Sequence, residues 1–274
     1  MSYPQRLPIA LSRGEGPYIE DVDGNTFIDF LTGAGVLALG HSHPDLIAAA
    51  EWQMRHLCHG LDFPTETKDR FTAAQLSMLH PDLREEFKIH FCGPTGADAI
   101  EAALKLCKLH TGGDQIISFQ GSYHGCTHGA LALAGNRAMK AGLGSLMPGV
   151  HLFPFAAERD CDGSPGDPSA DRFAACYFEQ TLLNAYSGLG DLAAVVIELV
   201  QGEGGVVPAD PDFVRTVRRV TAALGIPLIV DEIQTGCGRT GTWMAFEQYD
   251  IVPDIFLCSK ALSGLGLPVS LMFH

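Results

Sequence analysis

The chain has 274 residues, of which 46% are hydrophobic and 18% are charged, and this is the composition of a folded globular protein. Its formal net charge of −14, with no basic patch, argues against binding to nucleic acid. No stretch approaches the roughly 20 apolar residues of a membrane span, and the first residues lack the apolar core of a signal peptide. We therefore expect a cytoplasmic protein that binds neither nucleic acid nor membrane.

Cysteine and histidine do not form metal-binding patterns in this sequence. The eight cysteines are scattered, with no C-x-x-C pair and no Cys/His cluster at zinc spacing. This pattern indicates reduced thiols and no metal site. His41, His43 and His124 are expected to pack in loops rather than to ligate a metal.

The first structural signal is a predicted β-hairpin over residues 17–30. Apolar residues lie two apart on both sides of the turn sequence at 23–25, as in a hairpin. Helices are predicted over 44–57 and 66–79, where apolar residues recur every three or four positions. We expect residues 1–48 to form an N-terminal arm that contains the hairpin, and residues 49–274 to form the large domain.

From residue 88 onward the pattern changes to short apolar runs separated by glycine-rich turns and helical stretches. Runs that are apolar on both faces are typical of parallel strands covered by helices on each side. The six runs are 88–92, 115–119, 193–199, 226–230, 254–258 and 269–273. The predicted fold is α/β, with a mostly parallel sheet and helices on both faces. Residues 161–171, rich in glycine and proline, are expected to form a surface loop.

The segment after the first run could bind a phosphate. A glycine turn leads through Thr95, Gly96 and Ala97 into a strongly helix-forming stretch. A helix start presents unpaired N–H groups and a partial positive charge, which favour phosphate. Taken alone, this segment is better explained by an ordinary glycine turn before a helix. The dipeptide Gly-Lys of a P-loop is absent, which disfavours that class of nucleotide enzyme.

The fourth run ends in an acidic residue, Asp231, that would lie at the edge of the sheet. In open α/β sheets ligands bind beyond the carboxyl ends of the strands. A buried carboxylate there needs a cationic partner or hydrogen-bond donors. A helix-capping or ion-paired aspartate is the ordinary alternative. The G-x-G-x-x-G match at 236–241 is a weak signal, because it neither follows its strand directly nor opens a helix.

The fifth run is followed by Lys260 and a glycine-rich stretch. A lysine at the inner end of a buried strand can act as a nucleophile or form a Schiff base. A solvated surface lysine is the usual explanation for such a residue on its own. A phosphate site, a carboxylate and a lysine at three strand ends are together explained by pyridoxal 5′-phosphate, through its phosphate, its ring nitrogen and its aldehyde.

Six motifs, in order along the chain, resemble those of the class III (ω-amino acid) aminotransferases, which are fold-type I pyridoxal phosphate enzymes. They are LGHSHP at 39–44, GPTGADAIEAALKL at 93–106, GSYHGCTHGAL at 121–131, IELVQGEGG at 197–205, LIVDEIQTGCGRTG at 228–241 and SKALSGLGLP at 259–268. The segments at 16–44 and 93–106 are most similar to the branch that acts on diaminobutyrate and 2-oxoglutarate. The resemblance also implies a homodimer or a larger oligomer.

The resemblance assigns a role to each motif residue. It implies that Lys260 holds the cofactor aldehyde and Asp231 its ring nitrogen, and that both are catalytic. The other cofactor contacts that it implies are the phosphate on Thr95, Gly96 and Ala97, the two ring faces on Tyr123 and Ile233, and the 3-hydroxyl on Gln234. Glu198 and Glu203 are expected on the substrate side, where the family pairs the second glutamate with an arginine.

Members of the family continue far beyond the corresponding lysine. The resemblance therefore implies that this chain is truncated, that the small C-terminal domain is missing, and that the isolated chain is inactive. The function expected of the complete protein is transfer of the terminal amino group of a diamino or ω-amino acid, best 2,4-diaminobutyrate, to 2-oxoglutarate. The alternatives are a 4-aminobutyrate or ornithine aminotransferase, an aminomutase, racemase or decarboxylase of the same fold, and an inactive remnant.

Overall fold

The computed structural model describes residues 8–157 and 168–274, with side chains from residue 173 in the second range. The predicted loop over 161–171 falls mostly outside these ranges, and its last four residues begin a helix. Within the described residues, no helix combines the length and the apolar character that crossing a bilayer requires.

The chain divides into two compact units. The first contains Met1–Ala73 and Lys260–Pro268, and the second contains Ala74–Ser259 and Val269–His274. These two units differ from the arm over residues 1–48 and the large domain over 49–274 that the sequence predicts. The domain boundary after residue 48 stays a prediction. The segment that begins at Lys260 groups with the first unit because the 3₁₀ helix Lys260–Ser263 contacts a turn of that unit.

The first unit contains the predicted hairpin within a three-stranded antiparallel sheet. Its elements are β1 (Leu11–Glu15), β2 (Tyr18–Asp21), β3 (Thr26–Ile28), the short turn α1 (Thr32–Gly35), the helix α2 (Pro44–His56) and most of α3 (Glu66–Ser77). The hairpin turn is held by the Asp21 carboxylate, which accepts from the N–H of Asn25 at 2.8 Å and of Asp23 at 3.0 Å. The hairpin and both predicted helices are confirmed.

The second unit is built on a seven-stranded sheet in the order β4-β12-β11-β10-β7-β5-β6. The strands are β4 (Ile89–Gly93), β5 (Gln115–Phe119), β6 (Val150–Phe153), β7 (Leu192–Ile197), β10 (Leu228–Asp231), β11 (Ile255–Cys258) and β12 (Ser270–Phe273). A small ladder joins β8 (Val200–Gln201) to β9 (Val207–Pro208). Within the seven-stranded sheet all pairs are parallel except those of β12, which runs antiparallel to both neighbours.

Helices cover both faces of this sheet, as predicted. They are α4 (Gly96–Thr111), α5 (His128–Leu133), α6 (Arg137–Lys140), α7 (Pro168–Leu183) and α8 (Pro211–Leu224), with 3₁₀ turns at Pro81–Leu83 and Ala245–Tyr249. On one face, Ile100 of α4 packs in a buried cluster with Ile116 and Val196 of the strands. On the other face, Phe119 of β5 meets Phe213 of α8 with ring centroids 5.5 Å apart.

Each of the six predicted apolar runs overlaps one strand of the sheet, and β6 is an additional edge strand. Because the chain directions of β4, β5, β7, β10 and β11 agree, their carboxyl ends lie at one edge. The residues that follow β4, β5, β7 and β10 are therefore brought together within the second unit.

We predict that Phe256→Ala lowers the free energy of unfolding by about 3–5 kcal/mol. Phe256 is fully buried and stacks on Phe273 at 4.2 Å, so truncation leaves a cavity in the sheet core. Denaturant titration measures the change. Tyr186→Ala is the control, because Tyr186 is 94% exposed, and it should shift stability by no more than about 0.5 kcal/mol. A loss for Phe256→Ala as small as that of the control would contradict the prediction.

Candidate active site

The start of α4 is a capped helix end at the carboxyl edge of the sheet. Thr95 is the N-cap, and the Asp98 carboxylate accepts from the Thr95 N–H at 2.9 Å and from its hydroxyl at 2.6 Å. The first-turn N–H groups of Gly96 and Ala97 have no acceptor within the helix and lie at its positive end. These two amides are the donor set that an anionic phosphate needs. Thr95 could contribute its hydroxyl only by releasing Asp98.

Two close contacts join this helix start to the neighbouring loops. A Cβ at Gly96 would lie 2.6 Å from Cδ1 of Ile233, so the isoleucine after β10 packs directly on the glycine. Gly125 has a φ of +125°, and a Cβ there would lie 2.6 Å from that of Ala97. The loops after β5 and β10 therefore both rest on the first turn of α4. Gly125 was not among the predicted site residues.

The Asp231 carboxylate lies at the end of β10 and is 5% exposed. His124 Nδ1 donates to its Oδ2 at 2.7 Å, and the N–H of Ile233 donates to its Oδ1 at 3.0 Å. The expected need of this carboxylate for donors is thus met by a histidine and a backbone amide. The interpretation of His124 as a loop-packing residue was incomplete: the ring is buried in the loop after β5, and it is also the partner of Asp231.

The environment of His124 favours its charged form. Burial lowers the pKa of His124, but the hydrogen bond and negative charge of Asp231, with the charge of Glu198, outweigh it and raise the pKa above its usual value. The other ring nitrogen, Nε2, lies 3.4 Å from the buried Ser118 hydroxyl. Both ring nitrogens therefore have partners, which fixes the orientation of the ring against Asp231.

Glu198, the residue after β7, holds two loops by their backbones. It is 6% exposed, and its Oε1 accepts from the N–H of Tyr123 at 2.7 Å and its Oε2 from the N–H of Gly202 at 3.1 Å. Burial raises the pKa of Glu198, partly offset by the charge of His124. This geometry favours a positioning role, and the expected substrate-side role of Glu198 stays a prediction.

Tyr123 is half-buried, and its hydroxyl lies 3.3 Å from the Cys126 sulfur. The hydrogen bond with Cys126, burial and the charges of Cys126 and Glu203 raise the pKa of Tyr123 to about 12, so the hydroxyl is neutral. Glu203 itself is exposed. Gln234 packs on Gly202, where a Cβ would collide with its side-chain oxygen.

Lys260 belongs to the first unit and begins the 3₁₀ helix Lys260–Ser263. It is partly buried and has a φ of +40°, a left-handed conformation that is uncommon for a residue with a side chain. Ser259, which precedes it, is the last residue of that stretch of the second unit and donates its hydroxyl to the Val269 carbonyl at 2.7 Å. A strained backbone at such a position is typical of functional residues.

Two further carboxylates support the loops of the site and were not predicted. Glu101 of α4 accepts at Oε1 from the Thr127 hydroxyl at 2.6 Å and from the N–H of Gly129 at 2.8 Å, at the start of α5. Glu232, 1% exposed, accepts from the Thr235 hydroxyl and from the N–H of Phe246. Burial raises the pKa of Glu232 to about 7. The sequence did contain a signal for both residues: each glutamate lies inside one of the family motifs but has no role assigned by the resemblance.

We predict that Asp231→Asn lowers the pKa of His124. An amide removes the charge that opposes the effect of burial, so the ring should lose its proton at a lower pH. An NMR pH titration of the His124 ring measures this. Asp212→Asn, at a carboxylate exposed on α8, should leave the titration unchanged. An unaltered His124 pKa in Asp231→Asn would mean that the pair is not electrostatically coupled.

Comparisons with known proteins identify the family of the chain. The model of the aminotransferase class-III family matches residues 2–274. A diaminobutyrate–2-oxoglutarate aminotransferase of Rhizobium meliloti strain 1021 is 46% identical over 275 residues, which cover 100% of this chain and 58% of the relative. One of Haemophilus influenzae is 44% identical over 273 residues, which cover 99% of this chain and 59% of the relative. The chain spans about three fifths of the length of these relatives.

Solved structures give the same result for the fold. A taurine:2-oxoglutarate aminotransferase from Bifidobacterium kashiwanohense, in complex with PLP and glutamate, is similar over 97% of this chain and 59% of its own, with a TM-score of 0.86 and 27% identity. An (S)-enantioselective omega-transaminase from Thermomicrobium roseum is similar over 99% of this chain and 63% of its own, with a TM-score of 0.86 and 26% identity. The chain therefore belongs to the class-III aminotransferase family and has the α/β fold of the fold-type I pyridoxal phosphate-dependent transferases.

Proposed function

We propose that the protein is a pyridoxal phosphate-dependent transaminase that moves the terminal amino group of 2,4-diaminobutyrate to 2-oxoglutarate. The observation that carries the proposal is the buried carboxylate of Asp231, paired with His124, beside an α4 start with open amides. A carboxylate suits a protonated ring nitrogen, and helix amides suit a phosphate. The donor set of the second unit thus fits both polar ends of this cofactor.

Each predicted cofactor residue has a task in this proposal. The amides of Gly96 and Ala97, with Thr95, hold the phosphate. Tyr123 and Ile233 cover the two ring faces. The position of Ile233 on Gly96 supports this assignment, because it brings an apolar side chain next to the phosphate site. Gln234 is assigned to the 3-hydroxyl.

Asp231 keeps a proton on the ring nitrogen of the cofactor. When bound, pyridoxal phosphate supplies an electron sink for the charge that develops on the substrate carbon. A carboxylate that faces the ring nitrogen stabilises the protonated ring, and the charged His124 behind it fixes the direction in which Asp231 points. Lys260 is assigned the attachment of the cofactor and the transfer of the substrate proton.

The substrate side is assigned to Glu203 and Glu198. Glu203 is exposed and its charge acts on Tyr123, so a carboxylate is available to a cationic amine that approaches the covered ring. Glu198 acts through the backbones of Tyr123 and Gly202. The names of the Rhizobium and Haemophilus relatives support diaminobutyrate and 2-oxoglutarate as the two substrates.

The proposal includes assembly of the complete protein into a homodimer or a larger oligomer, and a cytoplasmic location. The first unit exposes several large apolar side chains, such as Phe30 at 90%, Leu31 at 72% and Phe63 at 71%. Apolar surface of this kind marks an interaction site in soluble proteins.

We predict that borohydride reduction of the cofactor-loaded protein labels Lys260. Lys140 is the competing candidate, because burial lowers the pKa of its amine, whose Nζ donates to the Ala132 carbonyl at 2.9 Å. Peptide mapping of the reduced protein distinguishes the two residues. Lys260→Ala should abolish the label and Lys140→Ala should retain it. A label on any other lysine would refute the assignment.

We predict that 2,4-diaminobutyrate has a higher kcat/KM than ornithine or 4-aminobutyrate, with 2-oxoglutarate as acceptor. Ornithine is one methylene longer, and a single methylene changes discrimination by about tenfold or more. Glutamate formation measures the rate for each donor. One glutamate per keto acid consumed distinguishes transamination from aminomutase, racemase and decarboxylase reactions. A clear preference for 4-aminobutyrate would overturn the donor assignment.

A further inference from the structure

Three sulfur atoms lie together in the second unit, beneath the loop that follows β10. Cys258 is the last residue of β11, is fully buried, and donates its S–H to the Met244 sulfur at 3.7 Å. The same Met244 sulfur lies 3.3 Å from the point where a Cβ of Gly236 would be. The methionine sulfur therefore touches both the end of β11 and the loop residue next to Cys237.

Cys237 and Cys258 are in direct contact in this cluster. Their thiols form a side-chain hydrogen bond, which lowers the pKa of Cys237 and raises that of Cys258. Cys258 is therefore the protonated member of the pair, and its sulfur also contacts Met244. The two thiols are unlike each other, one disposed to ionise and the other to stay protonated.

Access to the pair comes from one side only. Cys237 is partly exposed, whereas Cys258 and Met244 are 0% exposed. Cys237 also has a φ of +58° in the loop of residues 236–241, which turns the chain sharply there. Reactive thiols are those with a low pKa that a reagent can reach, and redox-sensing thiols have a second cysteine beside them. Among the cysteines that the structure describes, this pair has both properties.

We propose that Cys237 and Cys258 are a redox modification site, at which hydrogen peroxide produces an intramolecular disulfide. The Cys237 thiolate attacks one peroxide oxygen, the O–O bond breaks, and the departing hydroxide takes a proton to leave as water, so that Cys237 becomes a sulfenic acid. The Cys258 thiol then passes its proton to the sulfenic hydroxyl as its sulfur attacks the Cys237 sulfur, so that the S–S bond forms, the S–O bond breaks and a second water leaves. Two thiols lose two electrons in total, and peroxide accepts them.

The disulfide would connect two segments that carry assigned residues. Cys237 is on the loop that begins with Ile233 and Gln234, and Cys258 precedes Lys260 by two residues in the chain. Disulfide formation draws the sulfur of Cys258 away from Met244 and restrains the end of β11. This inference concerns thiol chemistry alone, so it can fail or succeed independently of the proposed transaminase activity.

The test is disulfide mapping of the purified protein after treatment with hydrogen peroxide. Free thiols are blocked with iodoacetamide, and the tryptic peptides are compared before and after reduction. Trypsin separates the two cysteines, since residues 220–239 and 240–260 form different peptides. The expected result is that these two peptides are linked after peroxide and are separated by dithiothreitol. The linked species should be absent from Cys237→Ser and from Cys258→Ser.

Cys176→Ser is the matched control, because Cys176 is an exposed thiol on α7, and it should retain the linked peptides. A second measurement does not require oxidation: in the untreated protein, iodoacetamide should label Cys237 before Cys258. The proposal is overturned if peroxide leaves Cys237 unchanged or oxidises it without formation of the link, if Cys237 links to another cysteine instead, or if iodoacetamide labels Cys258 before Cys237 in the untreated protein.

Discussion

Burial of the Asp231 carboxylate is the constraint on which the arrangement of the site depends. A strand that ends in the interior brings this charge out of water, and an uncompensated buried charge is strongly unfavourable. His124 provides the compensation from the loop that follows another strand, 107 positions away in the chain. The loop after β5 must therefore fold over the end of β10, and Tyr123, next to His124, is positioned as a consequence.

The same principle extends to the other acids of the site, of which Glu198 and Glu232 are buried and Glu101 is partly buried. Glu198, Glu101 and Glu232 each accept hydrogen bonds from loop N–H groups or hydroxyls rather than from a lysine or arginine. Each carboxylate thus connects its own strand or helix to a neighbouring loop or to the first turn of a helix. The chain has fewer basic than acidic residues, so backbone N–H groups serve as hydrogen-bond donors to these carboxylates. Such hydrogen bonds stabilise the negative charge and also fix the conformation of the loops.

The sequence predicted the features that depend on local residues, and it missed those that depend on contacts between distant parts of the chain. The hairpin turn at Asp21 and six of the seven strands of the large sheet depend on local residues or on continuous apolar runs, and they were predicted. β6 was not, because its His151 interrupts the run and finds a partner only across the sheet, in Gln115 at 2.9 Å. The antiparallel direction of β12 could not be predicted, because its residues form a run that is apolar on both faces, as a parallel strand would. Cofactor contacts were assigned by resemblance, whereas the pairing of His124 with Asp231 depends on two loops meeting and could not be predicted from spacing.

Proton binding follows from the same burial. Burial and neighbouring acids raise the pKa of Glu198, burial raises that of Glu232 from 4.5 to about 7, and Asp231 outweighs burial to raise that of His124 from 6.5. A group whose pKa is raised in the folded state binds its proton more tightly there than in the unfolded chain, so the stability that it contributes is present at low pH and lost as pH rises through the raised pKa. For Glu232 this loss lies between about pH 4.5 and 7, and for His124 it begins above pH 6.5. The loops around Asp231 are therefore held more firmly as the pH falls, because protonated His124 keeps the charge that fixes the direction of the carboxylate.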